Sequence, residues 1–285
     1  MENSNLYFDT AATTPIDKEV VQLINKINIE NFGNPSSIHS MGQKSHNIIE
    51  RSRLSISNIL NCKASEIIFT SGGSESNNIV LKGILSKGDH LITSTYEHPS
   101  ILNLAEQMLE NEIEVTFIKP NKNGIIDEDK IESAIKQNTK LISIMYVNNE
   151  LGTINPIQTI GNIAHKHNIL FHSDAVQFIG KEKLDIDNLK IDFLSMGAHK
   201  FYGPKGIGAL YCKNGIRFKP LIDGGGQENG LRAGTENISS IAGMCKALEI
   251  ANNNYKNIKE KILKLEKHFI DLLEHSNIDY RINGV

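Results

Sequence analysis

Cysteine is scarce: Cys62, Cys212 and Cys245 are the only three, far apart and without CxxC or CxxH spacing. Three scattered thiols build neither a disulfide framework nor a zinc site, and they fit a reducing compartment. An excess of either charge is also lacking. The chain carries 30 Lys and Arg against 33 Asp and Glu, a net charge of -3, which leaves no electrostatic footprint for nucleic acid or an anionic membrane. Long apolar runs are missing. LISIMYV at 141–147 falls well short of the roughly 20 residues a membrane helix needs, and MENSNLYF at the start has no basic, apolar signal pattern. The expectation is a cytoplasmic protein without a metal, whose partners are small molecules or protein. Internal repeats and low-complexity segments are absent as well.

What is present is alternation. Short β-rich runs, EIIFT (66–70), HLITST (90–95), IEVTFI (113–118), LISIMYV, ILFHSD (169–174), DFLSM (192–196) and GIGALYC (206–212), are separated by stretches of helical period. That order predicts βαβ units and a mostly parallel sheet in an α/β fold. Helices are expected over 99–110, opening on Pro99, over 127–136, opening on an acidic cluster, and over 157–167. From Glu236 to about Glu274, apolar residues recur at three- and four-residue steps and predict one long or broken helix. The ending IDYRINGV reads as a strand beginning and a turn, so a smaller C-terminal domain is expected to be cut short. With 285 residues, the division expected is a large domain over 15–250, with 1–14 and 251–285 starting an incomplete smaller α+β domain.

Candidate chemistry gathers at strand ends. In SMGAHKFYGPKG, Lys200 follows a strand where α/β sheets expose their functional groups. A partly desolvated lysine is a nucleophilic amine and a base; an isolated HK pair in a Gly-rich loop is usually just surface. In FTSGGSESNN, Gly73 and Ser74 stand between a strand and an apolar helix, so free N–H groups and the positive helix end can meet a phosphate. An ordinary turn is the bland alternative, and Ser76 in place of Gly departs from the G-x-S-x-G elbow. Asp174 in FHSDAVQ either caps a turn or pairs with a protonated pyridine nitrogen, with Gln177 reaching a ring hydroxyl. His172, Ser173 and Asp174 do not make a triad, because adjacent strand residues face opposite ways. His98, between strand and helix in STYEHPS, can stack on an aromatic cofactor and move protons. His165 and His167 are expected to be solvated. Arg232 and Thr235, after the glycine run 224–226, are candidates to meet an anion across a subunit boundary.

YFDTAATTP, FGNPSS, FTSGGSESNN, TSTYEHPS, VNNELGTINPI, HSDAVQFIGK, GAHKFYGPKGIGALY and GGGQENGLRAGTEN occur in this order along nearly the whole chain. Together they resemble the cysteine desulfurases, pyridoxal-phosphate (PLP) enzymes of the class V aminotransferase group. The resemblance implies the aspartate-aminotransferase type of fold (PLP fold type I), a three-layer αβα arrangement around a seven-stranded, mostly parallel sheet. It implies that Lys200 carries PLP covalently, His98 stacks on its ring, Asp174 pairs with the ring nitrogen, Gln177 meets the phenolic oxygen, and Asn149 also contacts it. Gly73, Ser74 and His199 would bind the phosphate from one subunit and Thr235 from the other, hence a homodimer. The reaction implied turns L-cysteine into L-alanine and passes sulfur to an enzyme cysteine, then to an acceptor or scaffold protein for iron–sulfur cluster or thio-cofactor assembly. Two departures stand out. Gly197 replaces a serine common in the family, and a hydroxyl contact of about 1.5–3 kcal/mol goes with it. The family's cysteine loop and its substrate-binding arginine, both C-terminal, have no counterpart in the chain. A selenocysteine lyase, another PLP lyase of this fold, or a catalytically incomplete PLP-binding subunit are the competing readings.

Overall fold

The computed structural model describes residues 6–284. Its centre is a seven-stranded sheet in the order β1-β7-β6-β5-β4-β2-β3. The strands are β1 (Ile67–Thr70), β2 (His90–Ser94), β3 (Glu114–Ile118), β4 (Thr139–Ser143), β5 (Leu170–Asp174), β6 (Phe193–Gly197) and β7 (Gly208–Cys212). Only β7 runs against the rest, pairing antiparallel with both β1 and β6. The other six therefore point their carboxyl ends to one edge, the edge at which open α/β sheets place ligands.

Alternating side chains give the sheet two dry faces. Leu91, Leu141, Phe193 and Leu210 pack with α3 (Gly73–Ile84) and α4 (Pro99–Glu110). Ile92, Ile142, Phe171 and Leu194 face a larger core shared with α1 (Lys18–Glu30), α2 (Ser40–Leu60), α5 (Glu128–Ser133), α6 (Ile157–Lys166) and α7 (Ile238–Glu274). Helix, sheet, helix is the three-layer arrangement expected. The helix expected over 99–110 has those bounds, and Asp127 caps the next one.

Two segments differ from expectation. The strand expected through 147 ends at Ser143, because beyond it the chain bonds on one side only, Ile144 N–H to His172 O and Tyr146 N–H to Asp174 O. Residues 278–284 form no strand; the segment stays irregular, with Gly284 lying against Leu151 and Thr153. Val285, which closes that expected strand, and residues 1–5 of MENSNLYF lie outside the described residues. The long helix, left open as whole or broken, is one continuous α7. Its first half is buried as far as Ala251, while Ile258, Ile262, Leu263, Leu265, Phe269 and Leu272 are exposed. Among the described residues no helix is long and apolar enough to cross a membrane.

Candidate active site

Five strand ends supply one cavity of about 180 Å³, lined by Gly73 and Ser74 after β1, His98 after β2, Asn149 after β4, Asp174 and Gln177 at β5, and His199 and Lys200 after β6. All the expected site residues are thus brought together except Thr235. That residue lines separate surface clefts with Glu236 and Asn237.

At the first turn of α3 the backbone N–H groups of Gly73 and Ser74 have no helical acceptor, as at any helix start. Glu75 and Thr70 satisfy the preceding N–H groups, Ser71 to Glu75 Oε2 at 2.6 Å and Gly72 to Thr70 Oγ1 at 3.4 Å. The free pair faces the cavity. Glycine leaves room at 73: a Cβ there would lie 2.4 Å from Val176 Cγ2 and would have to displace that methyl. At Gly197 a Cβ would meet nothing closer than 3.5 Å, so this position, unlike 73, has room for a first side-chain carbon. Positive charge surrounds this corner. Burial, then Lys200, Lys205 and His98, hold the His199 imidazole below its ordinary pKa.

Asp174 is 6% exposed. Its Oδ1 accepts from Val176 N–H at 3.0 Å and its Oδ2 from Asn77 Nδ2 at 2.8 Å. Lys200 Nζ donates to the carbonyls of Ala11 at 2.5 Å and Ala12 at 2.9 Å. Burial lowers the Lys200 pKa, against the raising pull of Asp174, Asp9 and Glu150. Gln177 Nε2 donates to the same Ala11 carbonyl at 2.9 Å, and its Oε1 accepts from Lys181 Nζ at 2.7 Å. The Lys181 ammonium, tucked in beside Lys200, is pushed down to about 8, by burial first and by Lys200 second.

Sequence reasoning missed this lysine, the Ala11 and Ala12 carbonyls, and Asn77. The lysine has a faint signal in the Gln177-to-Lys181 helical spacing; a backbone carbonyl has none. Thr14 fastens the N-terminal segment to the lysine loop, donating from N and Oγ1 to His199 O and accepting from Tyr202 N–H. His165 is not solvated as expected. It is half-buried and bonds Asp192 Oδ2 at 3.0 Å, because that carboxylate sits beneath α6 at the start of β6; His167 does lie exposed, beside Glu132. Arg232 meets a carboxylate of its own chain, Glu75, at 2.8 and 3.2 Å. Burial drives the thiols of Cys62, Cys212 and Cys245 up to about 12.

The chemistry of this donor set fits PLP: two free N–H groups for a phosphate, a buried carboxylate for a ring nitrogen, an amide beside it, and an amine partly stripped of water. Residues 6–284 match the family model for class V aminotransferases. Cysteine desulfurase IscS of Dictyoglomus turgidum is 45% identical over 283 residues, 98% of this chain and 72% of that protein. A solved structure described as SspA in complex with cysteine has 45% identity and a TM-score of 0.83, over 85% of this chain and 72% of that one. A NifS-like protein superimposes with a TM-score of 0.92 at 36% identity, covering 95% and 76%. The chain belongs to the class V aminotransferases, a PLP-dependent family, and within it to the cysteine desulfurase group.

Proposed function

We propose that this protein binds PLP on Lys200 and acts on L-cysteine as a cysteine desulfurase does, releasing L-alanine and handing on sulfur. The observation that carries the proposal is the meeting of Lys200, Asp174, His98 and two unpaired N–H groups in one cavity. PLP, when bound, supplies an electron sink for the pair left behind by the substrate α proton. The protein's own groups do the rest. Partial burial lowers the Lys200 pKa and so favours the free amine, the form that could bond to a carbonyl carbon and later accept a proton at Nζ. Asp174 would pair with the ring nitrogen, Gln177 would meet the phenolic oxygen, and Asn149 would also contact the cofactor. His98, which lines the same cavity, would lie against the ring and offer acid–base help worth roughly 100- to 10,000-fold. Gly73, Ser74 and His199 hold the phosphate.

Sulfur leaves the substrate when a thiolate attacks it. No thiol described here suits that task, since all three are raised to about 12 by burial and inert as nucleophiles at neutral pH. Neither an attacking thiol nor an arginine for the substrate carboxylate is among the described residues that line this cavity. The subsequent acceptor is a sulfur-carrier or scaffold protein in the cytoplasm. Thr235, away from its own chain's cavity, serves a second copy in a homodimer. Residues 15–250 form the PLP-holding domain, with 1–14 and 251–285 belonging to the smaller one.

L-Cysteine added to the PLP-loaded protein is expected to change the cofactor spectrum, with no ³⁵S from labelled cysteine appearing on the chain. A persulfide on Cys62, Cys212 or Cys245 would overturn the sulfur assignment, and spectral indifference to cysteine would overturn the substrate.

A further inference from the structure

Asn77 lies one turn into α3, fully buried, and does not line the cavity. Its Nδ2 donates to Asp174 Oδ2 and to Ser100 Oγ, both at 2.8 Å, while its Oδ1 has no partner among the described residues. Leaving a buried carbonyl oxygen unpaired is costly, so the position is held by what the amide donates. Its orientation is not free to reverse. With the amide flipped, Oδ1 would face the Asp174 carboxylate, acceptor against acceptor.

On the far side of Ser100 stands His98. Ser100 donates its backbone N–H to His98 Nδ1 at 3.1 Å, and its Oγ lies 2.8 Å from the same nitrogen. Because Nδ1 accepts from that N–H, it carries no proton in the neutral ring, and the imidazole proton sits on Nε2. Ser100 Oγ accepts from Asn77, and its hydroxyl hydrogen shares the single Nδ1 lone pair with the Ser100 N–H in a three-centre contact. Every donor and acceptor in the series Asp174, Asn77, Ser100, His98 then has one direction.

We infer that Asn77 is a positioning residue that joins the Asp174 carboxylate and the His98 imidazole into one unit through Ser100, steadying the carboxylate's rotamer and the orientation of the imidazole, whose Nε2–H form the Ser100 N–H sets. This rests on the reading that those two side chains engage the PLP ring, one at its nitrogen and one on its face. The consequence is cooperative: a break anywhere in the series loosens both groups at once. Hydrogen-bond chains couple in this way, and double-mutant cycles resolve it.

The experiment compares Asn77→Ala, Ser100→Ala, the double variant and Ser100→Thr. PLP affinity is read by absorbance titration, and the His98 ring form by ¹⁵N NMR of the cofactor-free wild type near pH 8. Each alanine variant is expected to weaken PLP binding about tenfold, the loss of one charge-assisted contact. The double variant should lose little more than either single one, and Ser100→Thr should bind as wild type does. Losses that multiply in the double variant, or a wild-type His98 protonated at Nδ1, would overturn the inference. Should Asn77→Ala fail to fold, Ser100→Ala against Ser100→Thr still decides, since equal binding by both contradicts the series. Borohydride trapping on Lys200 is run alongside. Trapping in wild type and variants with no coupling sinks this inference alone; no trapping in wild type sinks the functional reading, while the NMR result still judges the hydrogen-bond series.

Discussion

Replacing Glu97 with glutamine should reverse the sign of its effect on stability as pH rises. Glu97 is 3% exposed; its Oε1 accepts from Ser94 Oγ at 2.5 Å and Met145 N–H at 3.0 Å, and its Oε2 has no partner. Burial pushes its pKa from 4.5 up to about 8, with the two hydrogen bonds pulling back and Asp174 adding to the rise. The native carboxyl thus stays protonated while the unfolded chain ionises. Its contribution is complete below pH 4.5 and is lost as pH climbs to about 8, at about 1.4 kcal/mol per pH unit and on the order of 5 kcal/mol in all. Glutamine keeps the acceptor but puts unpaired N–H donors where Oε2 sits, a cost of about 1–3 kcal/mol at any pH. The variant should be the less stable protein at about pH 4.5 and the more stable at about pH 9, the two curves crossing between about pH 5 and 7. Urea unfolding of the cofactor-free protein at half-unit steps measures this. Parallel curves would show that Glu97 does not titrate as its enclosure requires.

His172 titrates in the opposite sense. Buried between Ser143 and Ser195, its imidazole is pushed down to about 3, so stability present above pH 6.5 is lost as pH falls toward 3; His172→Gln should flatten acid unfolding between pH 6 and 4, and an unchanged slope would contradict this. Arg53→Met strands the buried Glu228, which it grips at 2.7 and 2.8 Å, and should cost about 3–5 kcal/mol in urea unfolding, much of it restored by adding Glu228→Gln. Gly73→Ala drives a methyl against Val176 at 2.4 Å and should weaken PLP binding about tenfold or more; equal affinity by titration would remove glycine's role there. Leu265→Glu with Phe269→Lys, on the exposed apolar half of α7, should reduce light scattering at high concentration without lowering the melting temperature.

Strands were the most legible part of the fold, because they are short, largely apolar runs bounded by turns, most of them buried; β3, at the edge, is buried only at Ile118. Two early helices were not. α2 turns Ser45, Ser52 and Ser57 inward, where hydroxyls bond backbone carbonyls, so its apolar period is blurred; α1 buries only Val20 and Ile27. In the site, side chains that follow strands announced themselves by position. Ala11 and Ala12 did not, since they act through carbonyls, and Asn77 read as one more polar residue on a helix. Thr235 shows the other limit: its motif is distinctive, yet within one chain it reaches no part of the cavity.

The central claim is a covalent bond between PLP and the amine of Lys200. Incubating the protein with PLP, reducing with borohydride and mapping the peptides by mass spectrometry tests it most directly. The account predicts one pyridoxyl group, on Lys200, absent in Lys200→Ala. A label on Lys181 or Lys205 instead, or none, would contradict it.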